Sequence, residues 1–366
     1  MGEEKKVFRA LVLSVVKHAY LPDAVAAHPR FQLVAVADDD DRPAWTHERN
    51  QLYADQNGIP YVRDVETALR GCNVVVVSPE AERHCELAVR AAEAGKHIVV
   101  DKPLSIGVEP CDALVEAVVA NSVKCLVWNR NFLPALVEAK AALDRGAIGD
   151  LQAIHCDFYF AKDAGPAKGS RMEGDPPIDW LERQLEAHGD GSDGGVGTTP
   201  LGELQIEGVY PLGYIHMLAG ARVKSVFART ATHFHQANFD NQVDDLATVS
   251  LEMESGCVGS LSIGRIGAAS HPDIGEIKLH LLGSEGSLVV TEARPEISLY
   301  HRNQPAAEFK NQRIADQNNF LLMENFATAI DEDRDTILDA RAARDIAAVV
   351  DAALRSAQSG QQESVG

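Results

Sequence analysis

The stretch that decides the fold is His97-Ile98-Val99-Val100-Asp101-Lys102-Pro103-Leu104, a short apolar run that ends in an acid, a lysine and a proline. The β-branched run 98–100 predicts a buried strand, and Pro103 cannot continue a central ladder. In an open α/β sheet, ligands bind at the carboxyl edge. The stretch therefore predicts a strand that delivers Lys102 to a ligand-binding edge. The alternative is that Asp101 and Lys102 form a solvated strand end.

Working outward from this strand, short apolar runs alternate with helical patterns from Val7 to about Asn129. Such alternation is typical of βαβ units and a parallel sheet. The runs are nearly continuous Val, Leu and Ile, as expected when helices cover both faces of the sheet. Strands are predicted at 8–14, 31–38, 73–78, 97–101 and 123–128, and helices at 42–56, 64–70, 80–94 and 109–120. We therefore predict an α/β fold in which residues 1–128 form a Rossmann-type dinucleotide-binding domain.

The pattern changes at residue 129. A helix to about Arg145 is followed by alternating strands at 151–159, 223–230, 245–253, 257–265, 276–282 and 287–291, and then by helices at 316–330 and 339–359. These strands predict a large, open and mostly antiparallel sheet. The glycine-rich segment 162–200 is predicted to be a mobile loop over the site. Residues 129–366 should form an α+β domain that binds the substrate and, through its broad sheet face, builds a homodimer or homotetramer.

Composition excludes several classes of partner. The chain holds 34 Lys and Arg against 54 Asp and Glu, which gives a net charge of -20 and argues against nucleic acid or an anionic membrane. No apolar run approaches the roughly 20 residues that span a bilayer. The six cysteines are scattered without a CxxC pair, as in reduced cytoplasmic proteins. We expect a cytoplasmic protein with a small-molecule substrate.

The first βα turn, where glycines usually let the backbone approach a pyrophosphate, contains no glycine between Leu11 and Ala19. Two interpretations stay open: Ser14 and Lys17 supply a hydroxyl and a charge instead, or pyrophosphate binding is weak or lost. Asp38 ends the second strand, where an acid accepts the ribose hydroxyls of NAD and disfavours a 2′-phosphate.

The alternative for Asp38 is that the acidic run 38–41 forms a solvated loop and caps the next helix. After the strand at 73–78, Ser78 and Pro79 make a tight turn that would line the nicotinamide side of the pocket. His84 follows one helical turn later and is a weaker candidate, because a lone histidine on a helix is more often structural.

Several motifs together resemble one family. They are Asp101-Lys102-Pro103, the segment 129–132 with Pro134, the turn at 146–149, and the segment 202–212 followed by Leu218-Ala219-Gly220. In this order they resemble the glucose-fructose oxidoreductase and inositol dehydrogenase family, the Gfo/Idh/MocA group. Members are mostly NAD- or NADP-dependent oxidoreductases that act on sugars, polyols and related carbonyl compounds. The resemblance implies NAD as cofactor, with NADP as an option, and a sugar-like substrate.

The resemblance also implies site residues. Lys102 matches the active-site lysine of the family's Glu-Lys-Pro motif, here with Asp101 before it, and both would also contact the cofactor. Tyr210 matches a histidine or tyrosine that serves as acid or base. An ammonium near a phenol lowers the phenol pKa and stabilises a developing alkoxide.

Two positions depart from the family pattern, since Ile206 and Gly213 stand where the family usually has aspartates. Glu207 is a candidate replacement, although a helix turns about 100° per residue. We assign substrate binding to Arg130, Glu207 and Tyr214, which lie in or beside these motifs.

Three functions follow from the sequence. The first is an NAD(P)-dependent sugar or polyol dehydrogenase. The second is a sugar-processing enzyme that retains its NAD and shows no net redox change. The third is a degenerate, non-catalytic ligand-binding relative. A metal enzyme is least favoured: His233 and His235 would share one face of a strand, but no cluster of further ligands accompanies them, and no metal site is predicted.

Overall fold

The computed structural model of the chain describes residues 6–16, 19–160, 199–265, 275–291, 296–301, 307–310 and 315–366. Within these ranges the chain forms two compact units. One unit combines the residues up to Asn129 with Asn319–Ala347, and the other combines those from Arg130 to Asn318 with Ala348–Gly366.

The first unit is built on a parallel sheet of six strands in the order β3-β2-β1-β4-β5-β6. Its strands are β1 Phe8–Leu13, β2 Phe31–Ala37, β3 Tyr61–Val62, β4 Val74–Val77, β5 His97–Val100 and β6 Cys125–Val127. Its helices are α1 Tyr20–Ala27, α2 Ala44–Asn57, α3 Val65–Leu69, α4 His84–Glu93 and α5 Glu109–Ala120, with a 3-10 turn at Ala81–Arg83. The four valines of β4 are all completely buried, as expected for a strand with both faces covered. The predicted Rossmann-type sheet is confirmed.

The segment Asn319–Ala347 returns to the edge of this parallel sheet. The Val127 N–H of edge strand β6 donates to the Leu338 carbonyl at 2.9 Å, and the Thr336 hydroxyl donates to the Cys125 carbonyl at 2.6 Å. These hydrogen bonds pair an N–H and a carbonyl of the edge strand that would have no partner in the sheet itself.

The second unit is built on a sheet of nine strands in the order β14-β13-β12-β11-β7-β10-β9-β8-β15. Its strands are β7 Leu151–Phe160, β8 Val223–Ala231, β9 Leu246–Met253, β10 Val258–Gly264, β11 Gly275–Gly283, β12 Gly286–Thr291, β13 Glu296–His301, β14 Ala307–Lys310 and β15 Glu363–Ser364. The pair β7–β10 is parallel, and the other pairs are antiparallel. A mixed, mostly antiparallel sheet joined to a parallel one confirms the predicted fold class.

The helices of the second unit are α6 Pro134–Asp144, α7 Glu203–Glu207, α8 Val209–Ala219 and α9 Gln236–Asp240. Helix α10 Ala315–Asp331 lies mostly in the first unit, and α11 Ala340–Ser359 begins in the first unit and ends in the second. Phe158 of β7 and Tyr210 of α8 stack with ring centroids 6.4 Å apart, so α8 packs on the central strand of the sheet. The predicted loop at 162–200 lies, apart from its last two residues, outside the described residues.

Candidate active site

Helix α2 fixes the first βα turn. Ser14 follows β1 with φ +61°, a left-handed conformation that favours glycine. Asn50 of α2 accepts a hydrogen bond from the Val15 N–H at 2.6 Å, and its amide donates to the Ser14 hydroxyl at 3.3 Å. The N–H groups of Ser14 and Val16 bond to carbonyls at the ends of β2 and β4, at 3.0 and 3.4 Å. Ser14 therefore adopts the backbone shape of a glycine, while the N–H groups of 14–16 are used inside the protein. Lys17 lies outside the described residues.

Asp38, directly after β2, is buried and hydrogen-bonded through both carboxylate oxygens. Its Oδ1 accepts from Arg83 Nη2 at 2.6 Å and from the Asp39 N–H at 3.0 Å, and its Oδ2 accepts from the Asn50 amide at 3.2 Å. The alternative in which Asp38 is a solvated loop acid is therefore not what the structure shows. No side chain caps α2, whose N-cap residue is Pro43.

The turn after β4 is closely tied to its neighbours. Ser78 is fully buried, and its N–H donates to the Leu13 carbonyl of β1 at 3.1 Å. His84 contacts the carbonyl oxygens of Pro103 at 2.6 Å and Pro79 at 3.3 Å through its two ring nitrogens. His84 thus joins the turns after β4 and β5, which is a structural role.

Asp101 and Lys102 sit at the carboxyl end of β5, as the opening stretch predicts. Both residues are buried, and Lys102 is 8% exposed. The Asp101 carboxylate accepts the Lys102 N–H at 2.7 Å and the hydroxyl of Tyr20, whose ring lies 5.4 Å from that of Trp128. The Lys102 backbone is therefore fixed at the strand end by its own neighbour, and the residue is not a solvated strand terminus.

In the second unit, Arg130 and Tyr210 come together. The Arg130 guanidinium lies 4.9 Å from the centroid of the Tyr210 ring, a cation–π contact, and Phe158 stacks with the same ring. Tyr210 is 5% exposed, so its ring is fixed in place by these neighbours.

Glu207 lies in a buried cluster with Glu203 and Arg265. Arg265 Nε is 2.6 Å from Glu203 Oε2, and its Nη2 is 3.2 Å from Glu207 Oε1. All three residues are at most 4% exposed. The attraction of both carboxylates raises the pKa of Arg265 against the opposing effect of burial, so the arginine stays charged. Sequence reasoning missed Arg265, which follows β10 directly.

The two departures from the family pattern are part of the packing. Ile206 is buried, and a Cβ on Gly213 would lie 3.3 Å from Asn131 Oδ1. The Asn131 amide also donates to the Gly213 carbonyl at 3.4 Å. Asn131 thus takes up the space that a side chain at 213 would need. Tyr214 is fully buried, so its assignment to substrate binding stays a prediction.

No group of three or more His, Cys, Asp or Glu residues arranged for a metal ion exists among the described residues. His233 and His235 lie just before α9, where their N–H groups donate to the Asp245 carboxylate at 2.9 to 3.0 Å. In the described part of the chain, no helix has the length and apolar character that crossing a membrane requires.

The structure therefore gathers Ser14, Asp38, Ser78, Asp101 and Lys102 at one carboxyl edge of the parallel sheet. Arg130 and Tyr210 lie in the second unit.

Two family models match the chain. The oxidoreductase family with an NAD-binding Rossmann fold matches residues 14–128, and the C-terminal alpha/beta domain of the same family matches residues 198–365. The chain belongs to the Gfo/Idh/MocA oxidoreductase family. This membership confirms the family that the motifs indicated, and with it the oxidoreductase class and the NAD-binding type of the first domain.

Similar proteins carry polyol and sugar dehydrogenase names. The scyllo-inositol 2-dehydrogenase (NAD(+)) of Bacillus subtilis is 27% identical over 231 residues, which is 61% of this chain and 56% of that protein. The inositol 2-dehydrogenase of Rhizobium meliloti is 26% identical over 275 residues, 74% of this chain and 72% of that protein. The match to the Bacillus protein thus spans little more than half of its length.

Solved structures share the fold over the whole chain. An Agrobacterium radiobacter oxidoreductase in complex with NAD+, L-tartaric acid and magnesium has a TM-score of 0.78 at 16% identity, covering 98% of both chains. A levoglucosan dehydrogenase in complex with NADH has a TM-score of 0.76 at 20% identity, covering 99% of this chain and 100% of that one. At these identities the likeness concerns the fold.

Proposed function

We propose that the protein is an NAD-dependent dehydrogenase that oxidises a secondary alcohol of a polyol or sugar-like compound to the carbonyl. The observation that carries the proposal is the buried Lys102 at the carboxyl end of β5, whose backbone N–H donates to the Asp101 carboxylate. In an NAD-binding sheet, a lysine at the carboxyl end of a central strand would lie beside the reacting alcohol oxygen, where negative charge develops. The dehydrogenase names of the inositol and levoglucosan relatives support this substrate class.

The residues at the sheet edge fit a dinucleotide. Ser14 has the left-handed backbone that a tight phosphate-binding turn requires, and Asp38 is the buried acid that ends β2. Asp38 would bind the adenosine ribose, and Ser14 and Lys17 would lie toward the pyrophosphate. Ser78, Pro79, Asp101 and Lys102 would surround the nicotinamide end. When bound, NAD accepts a hydride from the carbinol carbon.

Proton transfer is assigned to the protein. As the hydride leaves the carbon, the hydroxyl proton of the alcohol passes to the oxygen of Tyr210 in its phenolate form, which becomes the phenol, and the C–O bond becomes a carbonyl. The Lys102 ammonium stabilises the negative charge that develops on the alcohol oxygen. Arg130 places a positive charge against the face of the Tyr210 ring, at 4.9 Å from its centroid.

Substrate recognition is assigned to Arg130, Glu207 and Tyr214. A polyhydroxylated substrate presents several hydroxyl groups, each of which can donate to a carboxylate or accept from a guanidinium. Glu207 is oriented by Arg265, so a hydroxyl that meets it would find a fixed carboxylate.

The proposal includes a homodimer or homotetramer located in the cytoplasm. Apolar side chains of the large sheet, Phe227 of β8 and Val258 of β10, are 40% and 52% exposed, which fits a surface that a second copy covers.

The test is turnover by the purified protein. It is incubated with NAD and a panel containing inositols, levoglucosan and simple hexoses, while NADH absorbance and sugar products are both measured. Formation of NADH together with a keto product supports the proposal. Conversion of a sugar without net NADH contradicts it and favours the cofactor-retaining enzyme, and failure to bind NAD or NADH contradicts it in favour of the degenerate relative.

A further inference from the structure

Four acids follow β2, and the structure pairs each of them with a different arginine. Asp38 contacts Arg83 at 2.6 Å, Asp39 contacts Arg90 at 2.7 Å, Asp40 contacts Arg63 at 3.6 Å and Asp41 contacts Arg42 at 2.7 Å. From the sequence, Asp38 is expected to disfavour a 2′-phosphate. In the structure, each of the four carboxylates has a guanidinium beside it. The strand end is therefore far less negative than its sequence implies.

The pair of Asp38 and Arg83 differs from the other three because both of its members are buried. Asp38 is 1% exposed and Arg83 is 6% exposed. Burial alone would lower the pKa of Arg83, but the hydrogen bond and the charge of Asp38 raise it above its ordinary value. Arg83 thus carries its charge beside Asp38 and away from solvent, where a nearby charge is screened least.

Arg83 also has a second carboxylate beside it. Its Nη2 is bonded to Asp38, and its buried Nη1 makes no hydrogen bond to any described residue but lies 3.6 Å from Glu80 Oε1. Burial raises the pKa of Glu80, and the charge of Arg83 opposes that rise. Because Nη1 lies inside the protein, Arg83 would act on a ligand through its charge.

The sheet order places this pair at the proposed cofactor site. Arg83 lies in the turn after β4 and Asp38 directly after β2, and β1 is the strand between them. The pair therefore spans the carboxyl end of β1, the place where this type of sheet receives the adenosine half of a dinucleotide.

We propose that Arg83 is a specificity-determining residue of the dinucleotide site: it neutralises Asp38, so that the site accepts the 2′-phosphate of NADP(H) as well as the 2′-hydroxyl of NAD(H). The inference rests on the proposed function, since it needs a dinucleotide at this edge. It differs from the sequence expectation, in which Asp38 disfavours the phosphate.

The test measures dissociation constants for NADH and NADPH by fluorescence titration of the full chain. Wild type should bind both within about tenfold of each other, because a neutralised acid adds little repulsion. Arg83→Gln should weaken NADPH at least about tenfold more than NADH, since it exposes the phosphate to an unpaired Asp38. Asp38→Asn should shift the preference the other way, toward NADPH. Arg83→Lys keeps the charge and should retain most of the NADPH binding.

Arg90→Gln is the matched control. It removes one guanidinium from the same acidic run, but both of its terminal nitrogens already bind Asp39, at 2.7 and 3.1 Å. It should leave the ratio of the two dissociation constants within about twofold of wild type. A wild-type preference for NADH above about a hundredfold, or equal shifts in Arg83→Gln and Arg90→Gln, would overturn the assignment while leaving the proposed function intact. Absence of binding by either nucleotide would overturn both. The wild-type ratio and Arg83→Lys decide the matter if Arg83→Gln does not fold.

Discussion

Lys102 is the residue on which the proposed chemistry depends. We expect Lys102→Met to lower kcat by about a thousandfold, because one preorganised charge at a developing oxyanion contributes about that much. The side-chain stem is kept, so the melting temperature should stay near that of wild type. Steady-state kinetics and thermal melts of the same preparations measure the two effects.

Lys124→Met provides the control for Lys102→Met. Lys124 lies in the same unit and pairs with an exposed aspartate, Asp333, at 2.8 Å. This variant should retain wild-type turnover. If Lys102→Met turned over within about tenfold of wild type, the catalytic role assigned to Lys102 would be wrong.

Tyr210 is assigned the proton transfer, and its hydroxyl can be removed without disturbing its packing. Tyr210→Phe keeps the ring contacts with Phe158 and Arg130 and should lower turnover by about a hundredfold or more, the usual contribution of a general acid or base. The control is Tyr159→Phe, which deletes a hydroxyl bonded to Ser262 at 2.8 Å in the same sheet. Equal turnover of the two variants would contradict the role of Tyr210.

Ser14 stores backbone strain at the first turn. Its φ of +61° is tolerated by glycine and poorly by β-branched residues. We expect Ser14→Gly to change the free energy of unfolding by less than about 1 kcal/mol, and Ser14→Val to lose about 2 kcal/mol. Urea unfolding measures both. A valine variant as stable as wild type would show that the turn does not require the left-handed conformation.

At the scale of elements, long apolar runs could be predicted from the sequence and short segments could not. The strands β4 and β5 are buried Val and Ile runs, and the predicted bounds differ from the observed ones by a residue or two. Helix α1 was missed because it has only eight residues and contains Pro22, which only a first turn tolerates. Strands β3 and β15 have two residues each, too few to show a period.

The junction of α7 and β9 gives a prediction about pH. Asp244, just before β9, accepts the Leu204 N–H at 3.2 Å, and burial raises its pKa to about 6. An acid with a raised folded-state pKa binds its proton more tightly in the folded chain. Its ionisation therefore destabilises the fold progressively between about pH 4 and pH 6, and fully above that range.

The variant Asp244→Asn tests this prediction. It keeps an oxygen acceptor for Leu204, so relative to wild type it should gain about 1 to 3 kcal/mol as pH rises from 4 to 7. The difference in melting temperature between the two proteins should grow through this range and then level off. A difference that does not change with pH would contradict the buried, titrating carboxyl.

At the scale of the whole molecule, local motifs predict positions along the chain, and tertiary contacts add neighbours that the motifs do not show. The place of Asp101 and Lys102 at the carboxyl end of β5 could be predicted because they directly follow an apolar run and precede a proline. Arg83 and Arg265 were missed because their partners lie far along the chain: Arg83 is 45 positions from Asp38, and Arg265 is 62 positions from Glu203. No local pattern shows which of many arginines will be buried beside a given acid.

The net charge of -20 is a poor guide to the local field at one strand end. The acidic run after β2 is paired residue by residue with arginines, so the cofactor edge does not share the overall charge. Such pairing depends on the fold, which brings Arg63, Arg83 and Arg90 to this strand end, whereas Arg42 directly follows its partner Asp41 in the sequence. Charge counted along a sequence therefore describes the molecule as a whole better than any one site.

The central claim is that a first turn without glycine still serves a working dinucleotide site in the first unit. Calorimetric titration of the full chain with NADH, after mass spectrometry of a denatured sample for cofactor already bound, tests it most directly. The account predicts one dinucleotide per chain, either co-purified or bound during the titration, and a melting temperature that rises with NADH concentration. A chain that carries no dinucleotide and gives no heat and no thermal shift with NADH would contradict it.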